Sequence, residues 1–473
     1  MTPAQVARAR ETAPSPSPHE YLVAIEPIVA KLHPEEEGAV VDSAPLASQV
    51  KALFEEMHPA DIAYVLEGLP LEDRLWVWSL VGPEREGEVL LEVSDSVRET
   101  LLADMERSEI VAATQDLDAD EIADLAPDLP EDVVKEIVDS QDVTDRAQLQ
   151  AALSYPEGTV GSLMDFEVVT VFDDVDCEAA LQYLRKYDEL PGQTDALFVV
   201  DRDNRLKGSV PLNKLLVTNP DVPISGLYDA DVTSFVPESD ADEASQAFER
   251  YNLICAPVTD AQGRVIGRVT VDTVLEYVRD RQEQRALGKV GLREEEDLFA
   301  SVWTSAKNRG PWLALNLCTA FVASRVVGLF EGSIAQLAAL AALMPIVAGI
   351  GGNSGNQTTT LIVRALALGQ VSPVNARRLL LKELGISTLN GVVWGGVLGL
   401  AAWALYRNVA LGGVMALAML LNLVVAALAG FFIPFAMDRF NRDPAVGSSV
   451  FLTFMTDSMG FFIFLALAST LLL

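Results

Sequence analysis

Five long apolar stretches crowd the C-terminal part of the chain, at Pro311–Phe330, Ile334–Gly352, Leu384–Tyr406, Val414–Met437 and Val446–Leu471. Each is long enough to cross roughly 30 Å of hydrocarbon as an α-helix. No water satisfies backbone groups inside a bilayer, so such segments have to be helical and packed against one another. The sequence therefore predicts an all-α polytopic membrane domain with five transmembrane helices over residues 309–473. Everything before it is sorted by the side of the membrane it occupies.

Charge decides the side. The chain carries 34 basic and 68 acidic residues, a formal net charge of −34, unevenly shared. Residues 301–473 hold ten basic and five acidic side chains, so the first 300 hold 24 and 63. Within the apolar part, basic residues collect in two loops: Arg364, Arg377, Arg378 and Lys382 after the second stretch, Arg439 and Arg442 after the fourth. The opposite loops offer Glu331 and Arg407. The positive-inside bias then puts the acidic half in the cytoplasm and, after five spans, the C-terminus outside, in a multi-pass protein of the inner (plasma) membrane. No apolar run of signal-peptide length opens the chain, which agrees. Cys177, Cys255 and Cys318 lie far apart with no CxxC pair, against a disulfide framework or a thiolate metal site. A surface this acidic repels nucleic acid and attracts cations.

Residues 1–19, with Pro14-Ser15-Pro16-Ser17-Pro18, read as a disordered tail. Residues 20–152 show helical spacing of apolar positions between many acids, and predict an acidic all-α helical stack. A weak repeat is visible there: Asp61-Ile62-Ala63 leading to Leu69-Pro70 is echoed by Glu121-Ile122-Ala123 leading to Leu129-Pro130. From 153 to 277 the pattern turns to strand, helix, strand, turn, strand, helix, twice over. The first copy runs through Val168–Val171, Asp176–Lys186, Ala196–Val200 and Leu206–Val210. The second runs through Val232–Val236, Asp240–Tyr251, Ala256–Val258 and Val265–Thr270. This tandem resembles a pair of CBS motifs, an α/β regulatory module. A charged helical stretch over 278–308 then connects to the membrane domain.

Two features of the membrane part carry chemistry. Asp457, in Thr453-Phe454-Met455-Thr456-Asp457-Ser458-Met459-Gly460, falls near the middle of the last stretch. A carboxylate at that depth costs about 2.5–3.5 kcal/mol on insertion scales, so it must face protein or water. Magnesium is small, prefers octahedral oxygen ligation and dehydrates reluctantly, so one or two carboxylates gripping the ion through its waters would suit it. The competing reading is a buried aspartate hydrogen-bonded to Thr453 or Thr456. The second feature is Pro345-Ile346-Val347-Ala348-Gly349-Ile350-Gly351-Gly352-Asn353-Ser354-Gly355-Asn356-Gln357. Its glycines and proline weaken a helix, and exposed carbonyls beside the amides would offer neutral oxygen ligands. Tight helix packing through small residues explains the same pattern.

At these residues the chain resembles the MgtE family of magnesium channels. The likeness covers Pro345–Gln357 with Thr358–Arg364, Thr456-Asp457 before Met459-Gly460, and the order of helical N domain, CBS pair, connecting helix and five spans. It implies a homodimer in lipid, with one central pore lined by the second and fifth spans and a selectivity site made by Asp457 of each protomer. It implies that Gly349, Gly352, Asn353 and Thr453 lie along the pore, with Asn422 a further candidate. Mg2+ would be both transported ion and regulator, closing the pore from cytoplasmic sites among the N domain, CBS pair and connecting ("plug") helix. Asp272, Glu276 and Glu283 are the residues here that match sensor positions. Thr273 stands where the family commonly has a second acid, and Arg279–Arg285 is less acidic and shorter than usual, with Glu294-Glu295-Glu296-Asp297 offering charge nearby. CBS pairs that hold ATP often use an Asp three residues after a Ser or Thr. The slots here are Pro211–Lys214 and Thr270–Thr273, which argues against nucleotide. Asp457 with neutral oxygens would also admit Mn2+, Co2+ or Ni2+.

Three other classes compete. An ion-coupled divalent exchanger would place several ionisable groups inside the membrane, and by sequence only Asp457 stands deep. A membrane-anchored sensor has no use for a mid-span acid. An enzyme finds no nucleophile–base pair, P-loop or HExxH motif, and His19, His33 and His58 all lie in the N-terminal part.

Overall fold

The computed structural model describes residues 16–32, 43–188, 190–292, 297–367, 370–371, 373–440, 443–444 and 446–473. Most of the expected tail, His33 and Glu294–Glu296 lie outside them. The chain divides into two compact units, Met1–Arg281 with Asp297–Phe299, and Gln282–Glu296 with Ala300–Leu473.

Among the described residues the first unit opens with ten short α-helices: α1 (Pro18–Val29), α2 (Ala44–Phe54), α3 (Pro59–Glu67), α4 (Leu71–Trp78) and α5 (Pro83–Glu92). They continue with α6 (Asp95–Asp104), α7 (Arg107–Ala113), α8 (Ala119–Leu125), α9 (Glu131–Ser140) and α10 (Val143–Ala152). Ile25, Val50, Ile62, Leu66, Leu90, Leu101, Leu125, Ile137 and Leu149 make one continuous core. The echo at 61 and 121 is part of a shorter repeat. Helices α4, α6, α8 and α10 begin 24 residues apart, after Pro70, Ser94, Asp118 and Asp142. Three of the four carry an arginine at the same place, Arg74, Arg98 and Arg146, and Ile122 fills the fourth slot. Each Nε donates to the carbonyl eight residues back, at Leu66, Leu90 and Val138, over 2.8–3.0 Å. Each Nη2 reaches the carbonyl five residues back, at Leu69, Val93 and Gln141. One residue type thus satisfies the last carbonyls of the preceding helix, which have no partner of their own.

The tandem module follows. A three-stranded sheet orders β1 (Thr170–Phe172), β2 (Ala196–Val200) and β3 (Leu206–Pro211), β1 parallel and β3 antiparallel to β2. A two-stranded antiparallel sheet pairs β4 (Cys255–Thr259) with β5 (Val265–Thr270). Helices α11 (Cys177–Leu184), α12 (Leu212–Val217) and α13 (Ala241–Tyr251) complete it, α11 and α13 capped by the Asp176 and Asp240 side chains. The two copies use the same hairpin turn: Asp201 Oδ1 accepts from Asp203 and Arg205 N–H, Asp260 Oδ1 from Gln262 and Arg264 N–H. The strand expected at Val232–Val236 is only a single bridge, Phe235 to Val258. Pro237 ends that stretch, so it has no room for a ladder. Each copy keeps its own core, one around Val171, Cys177 and Leu197, the other around Met164, Phe248 and Val258.

The connecting helix α14 spans Val271–Gly288 and ends well before 308. At Gly291 the backbone turns with φ +75°, and a Cβ there would overlap the Trp312 ring. After Asp297–Phe299 the hydroxyl of Ser301 caps Thr304 N–H and starts α15 (Val302–Gly328), so residues 302–308 already belong to the first membrane helix.

A short α16 (Glu331–Gln336) leads to α17 (Ala339–Ala367), α18 (Pro373–Tyr406), α19 (Val409–Arg439) and α20 (Ser448–Leu471). Among the described residues four helices, α15, α18, α19 and α20, are long and apolar enough to cross a membrane. Five spans are therefore not confirmed: α17 has the length, but its Gly351–Thr360 stretch is too polar to qualify. The expectation of irregular backbone over Pro345–Gln357 is also corrected. The helix runs unbroken from Ala339 to Ala367, its carbonyls committed to the helix. Pairing every backbone group outweighs the weak helix propensity of glycine where water is scarce. Elsewhere small residues draw helices together: a Cβ on Gly395 would stand 2.7 Å from Ala416 O, and one on Gly399 2.6 Å from Gly412 O.

Candidate functional site

Helices α17 and α20 pack together with α19 between and behind them, and this contact sorts the glycines of α17. Gly351 and Gly355 face inward. A Cβ on Gly351 would overlap the Asn422 amide, and one on Gly355 would stand 2.8 Å from Leu452 and 3.3 Å from Ala426 O. Gly349 meets nothing within 4 Å, and Gly352 has only the Thr456 hydroxyl at 3.6 Å. The packing reading of the glycine run holds for Gly351 and Gly355. Residues spaced three and four apart share a helix face, so Gly349, Asn353 and Asn356 form one exposed stripe. On α20, Thr453 and Asp457 stand four apart on one face, Thr453 exposed and Asp457 half-buried.

Asp457 has no hydrogen-bond or ion-pair partner among the described residues. The two hydroxyls that could have bound it are engaged elsewhere. Thr453 Oγ1 donates to Ser449 O at 2.8 Å, and Thr456 Oγ1 lies 3.0 Å from Leu452 O and 3.2 Å from Thr453 O. Neither threonine hydroxyl bonds Asp457. Asn422 does not line this surface. It is fully buried, its Nδ2 donating 2.9 Å to Val347 O. An amide in the apolar interior needs a partner, and a helix carbonyl has a second lone pair to offer.

The membrane unit also holds a buried acid, Glu383. Glu383 of α18 is 4 % exposed, accepts from Thr358 Oγ1 at 3.1 Å, and leaves Oε1 without a partner among the described residues. By sequence it stands one residue before the third apolar stretch and reads as a cytoplasmic loop charge. The α18 helix in fact begins ten residues earlier, at Pro373, and carries it inside.

The three sensor candidates separate along α14. Asp272 starts α14 and accepts from Gln193 Nε2 at 2.7 Å. Glu276 sits one turn on, its carboxyl raised above the usual range by burial and then by Asp280 and Glu92. Glu283 is exposed further along the same helix. Acids that sequence reading passed over join Glu276. Asp124 is pushed up to about 6, by loss of surrounding water and then by Glu276, with Arg98 opposing. Asp120, half-buried, is pushed up to about 7 by desolvation and then by Asp165. Both line a cavity of about 740 Å³ with Lys135, Tyr155 and Glu157. Among the described residues no group of three or more His, Cys, Asp or Glu is arranged to hold a metal. At the nucleotide slots Thr273 Oγ1 bonds Thr270 O at 3.0 Å and Lys214 Nζ bonds Leu227 O at 2.7 Å.

Comparison with known proteins completes the picture. Residues 344–467 match the MgtE divalent cation transporter model, 57–158 the MgtE intracellular N domain, and 160–218 and 224–280 the CBS domain. The magnesium transporter MgtE of Thermus thermophilus is 29 % identical over 433 residues, 89 % of this chain and 95 % of that protein. Its namesakes in Enterococcus faecalis and Bacillus subtilis are 27 % and 23 % identical, over 68 % and 89 % of this chain and 71 % and 93 % of theirs. Among solved structures, the cytosolic domain of the Mg2+ channel MgtE in complex with ATP is 26 % identical, with a TM-score of 0.46 over 54 % of this chain and 99 % of that one. The soluble part of a magnesium transporter is 19 % identical, also at 0.46, over 56 % and 99 %. N domain, CBS pair and cation-transporter segment thus follow one another along a single polypeptide, and the chain belongs to the MgtE family.

Proposed function

We propose that this chain mediates Mg2+ influx across the plasma membrane as a homodimer, with Asp457 of each protomer selecting the ion. One observation carries the reading: a carboxylate near the middle of α20 that no described residue neutralises, on a helix packed against the one that carries the exposed amide of Asn353. An uncompensated charge at that depth is tolerated where a cation or water meets it. The relatives in three organisms are named magnesium transporters, which supports Mg2+ as the cargo. The ion would pass with most of its water, held by Asp457 through the hydration shell and by the Asn353 amide oxygen as a neutral ligand. Outer-shell contacts of this kind distinguish similar hydrated ions weakly, so Mn2+ and Co2+ would follow at lower preference. The N-terminus lies in the cytoplasm, where the acidic unit responds to Mg2+. Ions bridging its carboxylates stabilise the compact, closed form by mass action.

The test is divalent uptake into proteoliposomes by the native chain and Asp457→Ala, at equal amounts of folded protein. Loss of uptake in the mutant supports the pathway. Undiminished uptake with the native ion preference overturns it. A second reading, an ion-coupled exchanger, is favoured by the buried carboxylate of Glu383, and it predicts uptake that depends on an opposing proton gradient.

A further inference from the structure

Asn422 occupies a slot built from the two helices that carry the proposed pathway. Its side chain leaves α19 fully buried and bonds Val347 O of α17 at 2.9 Å. On one side Gly351 of α17 leaves room for the amide and nothing more, since any Cβ there would overlap Nδ2. On the other side a Cβ on Gly460 of α20 would stand 2.9 Å from Nδ2 and 3.2 Å from Cγ. A planar amide fits between two glycine surfaces where a branched aliphatic group would not. Gly351 precedes Asn353 by two residues and Gly460 follows Asp457 by three, so the slot lies within one helical turn of both proposed ion-facing groups. Asn422 Oδ1 has no partner among the described residues. A position that served only to fill space would do better with an apolar side chain, because a buried unpaired acceptor is unfavourable.

We propose that Asn422 is a positioning residue for ion selection, a spacer that sets the separation and axial register of α17 and α20. It thereby fixes the distance between the Asp457 carboxylate and the Asn353 amide. It touches no ion and acts through the two helices alone. The inference rests on the pathway reading above. A site that grips a hydrated ion discriminates by the spacing of its oxygens, so loosening the spacer should alter which ion passes before it alters whether ions pass.

The experiment measures Mg2+ and Ca2+ uptake into proteoliposomes for the full chain, at equal amounts of folded protein. Variants are Asn422→Ala, Asn422→Ser, Gly351→Ala, the double Gly351→Ala/Asn422→Ala, and Asp457→Ala. We expect Asn422→Ala and Asn422→Ser to keep Mg2+ uptake within a few-fold while Mg2+-over-Ca2+ discrimination falls about tenfold. Gly351→Ala should lose most uptake, because its methyl needs the place of the amide. The double variant should recover uptake without recovering discrimination, a non-additivity only a shared slot produces. Native discrimination in both Asn422 variants, with only yield or melting temperature reduced, makes Asn422 a packing residue and overturns the proposal. A double variant no better than Gly351→Ala refutes the slot. If Asp457→Ala leaves uptake and discrimination intact, the pathway reading itself fails. If it abolishes uptake while Asn422→Ala discriminates as the native chain does, only the present inference fails.

Discussion

Of the three repeated arginines in the N-terminal unit, Arg74 alone binds a residue far along the chain, and the consequence is measurable. Its Nη1 and Nη2 meet the two carboxylate oxygens of Asp297 at 2.7 and 3.0 Å, with side-chain exposures of 0 % and 8 %. In Asp297→Ala the guanidinium keeps the Leu66 and Leu69 carbonyls and the Thr100 hydroxyl but loses its counter-charge. Removing one partner of a buried ion pair costs about 3–5 kcal/mol, because the other charge stays buried. Two carbonyls already solvate this one, so the lower end applies, about 3 kcal/mol. Amide hydrogen exchange on the full-length protein reads the effect directly. Peptides from α3, α4 and α6 should exchange roughly a hundredfold faster in the mutant, at 1.36 kcal/mol per decade. Asp128→Ala is the control. Arg98 is less buried and has Asp95 as a second acid, also at 3.2 Å, so the loss should stay below about 1 kcal/mol. A pH series adds a sign. Burial alone would raise the Asp297 carboxyl, but the Arg74 hydrogen bond, the Phe299 N–H and the Arg74 charge outweigh it and hold it below the usual range. A depressed carboxyl stabilises the fold above its unfolded value and loses that contribution as pH falls through the folded one. Protection should therefore decline below about pH 4 in the native chain and be flat there in Asp297→Ala. Equal exchange around Arg74 in the two proteins would refute the reasoning.

The raised acids predict the opposite pH dependence. Asp120 binds its proton more tightly folded than unfolded, so the N-terminal unit should lose stability as pH rises from about 4 to 7. Asp120→Asn should flatten that slope and raise Tm at pH 7.5 by roughly 2–4 °C, read by scanning fluorimetry. In the membrane unit Glu383→Gln keeps an acceptor for Thr358 and removes an uncompensated charge, so detergent-solubilised protein should melt at the native temperature or above. Glu383→Ala leaves Thr358 unpaired and should cost about 1–3 kcal/mol. Gly399→Leu cannot be accommodated against Gly412 O at 2.6 Å. It should force α18 and α19 apart and lower the yield of folded protein by size-exclusion chromatography, whereas Gly396→Leu, with nothing within 4 Å, should be tolerated.

Much of the architecture was legible because it rests on periodicity. Hydrophobic length marked α15, α18, α19 and α20, and alternation with turn residues placed β2 and β5 at Ala196–Val200 and Val265–Thr270. Boundaries failed where a local geometric event decides them. The connecting helix stops at Gly288, and at Gly291 the Trp312 ring lies against the backbone, a through-space fact that residue type does not encode. The 24-residue repeat was present in the letters. Ile122 breaks the arginine series and the caps vary among Pro, Ser and Asp, so the signal is the spacing of helix starts rather than any shared motif.

The site divides along the same line. Sequence gives a residue's depth along a helix; packing gives its azimuth. Asp457 needed only depth, because a carboxylate far from either end of α20 is informative whichever way it points. Asn422 and Asn353 are both amides in apolar helices, and depth cannot tell them apart. One is sealed between Gly351 and Gly460 and the other is exposed, because α17 turns Gly351 and Gly355 toward α19 and α20 and so turns Gly349 and Asn353 away. Glu383 fails for a related reason. Its neighbours Lys382, Arg377 and Arg378 read as a loop in the sequence, yet α18 extends back through all of them and places Glu383 against Thr358. Glycine in this unit therefore acts less as a helix breaker than as the device that chooses which polar side chains a helix hides.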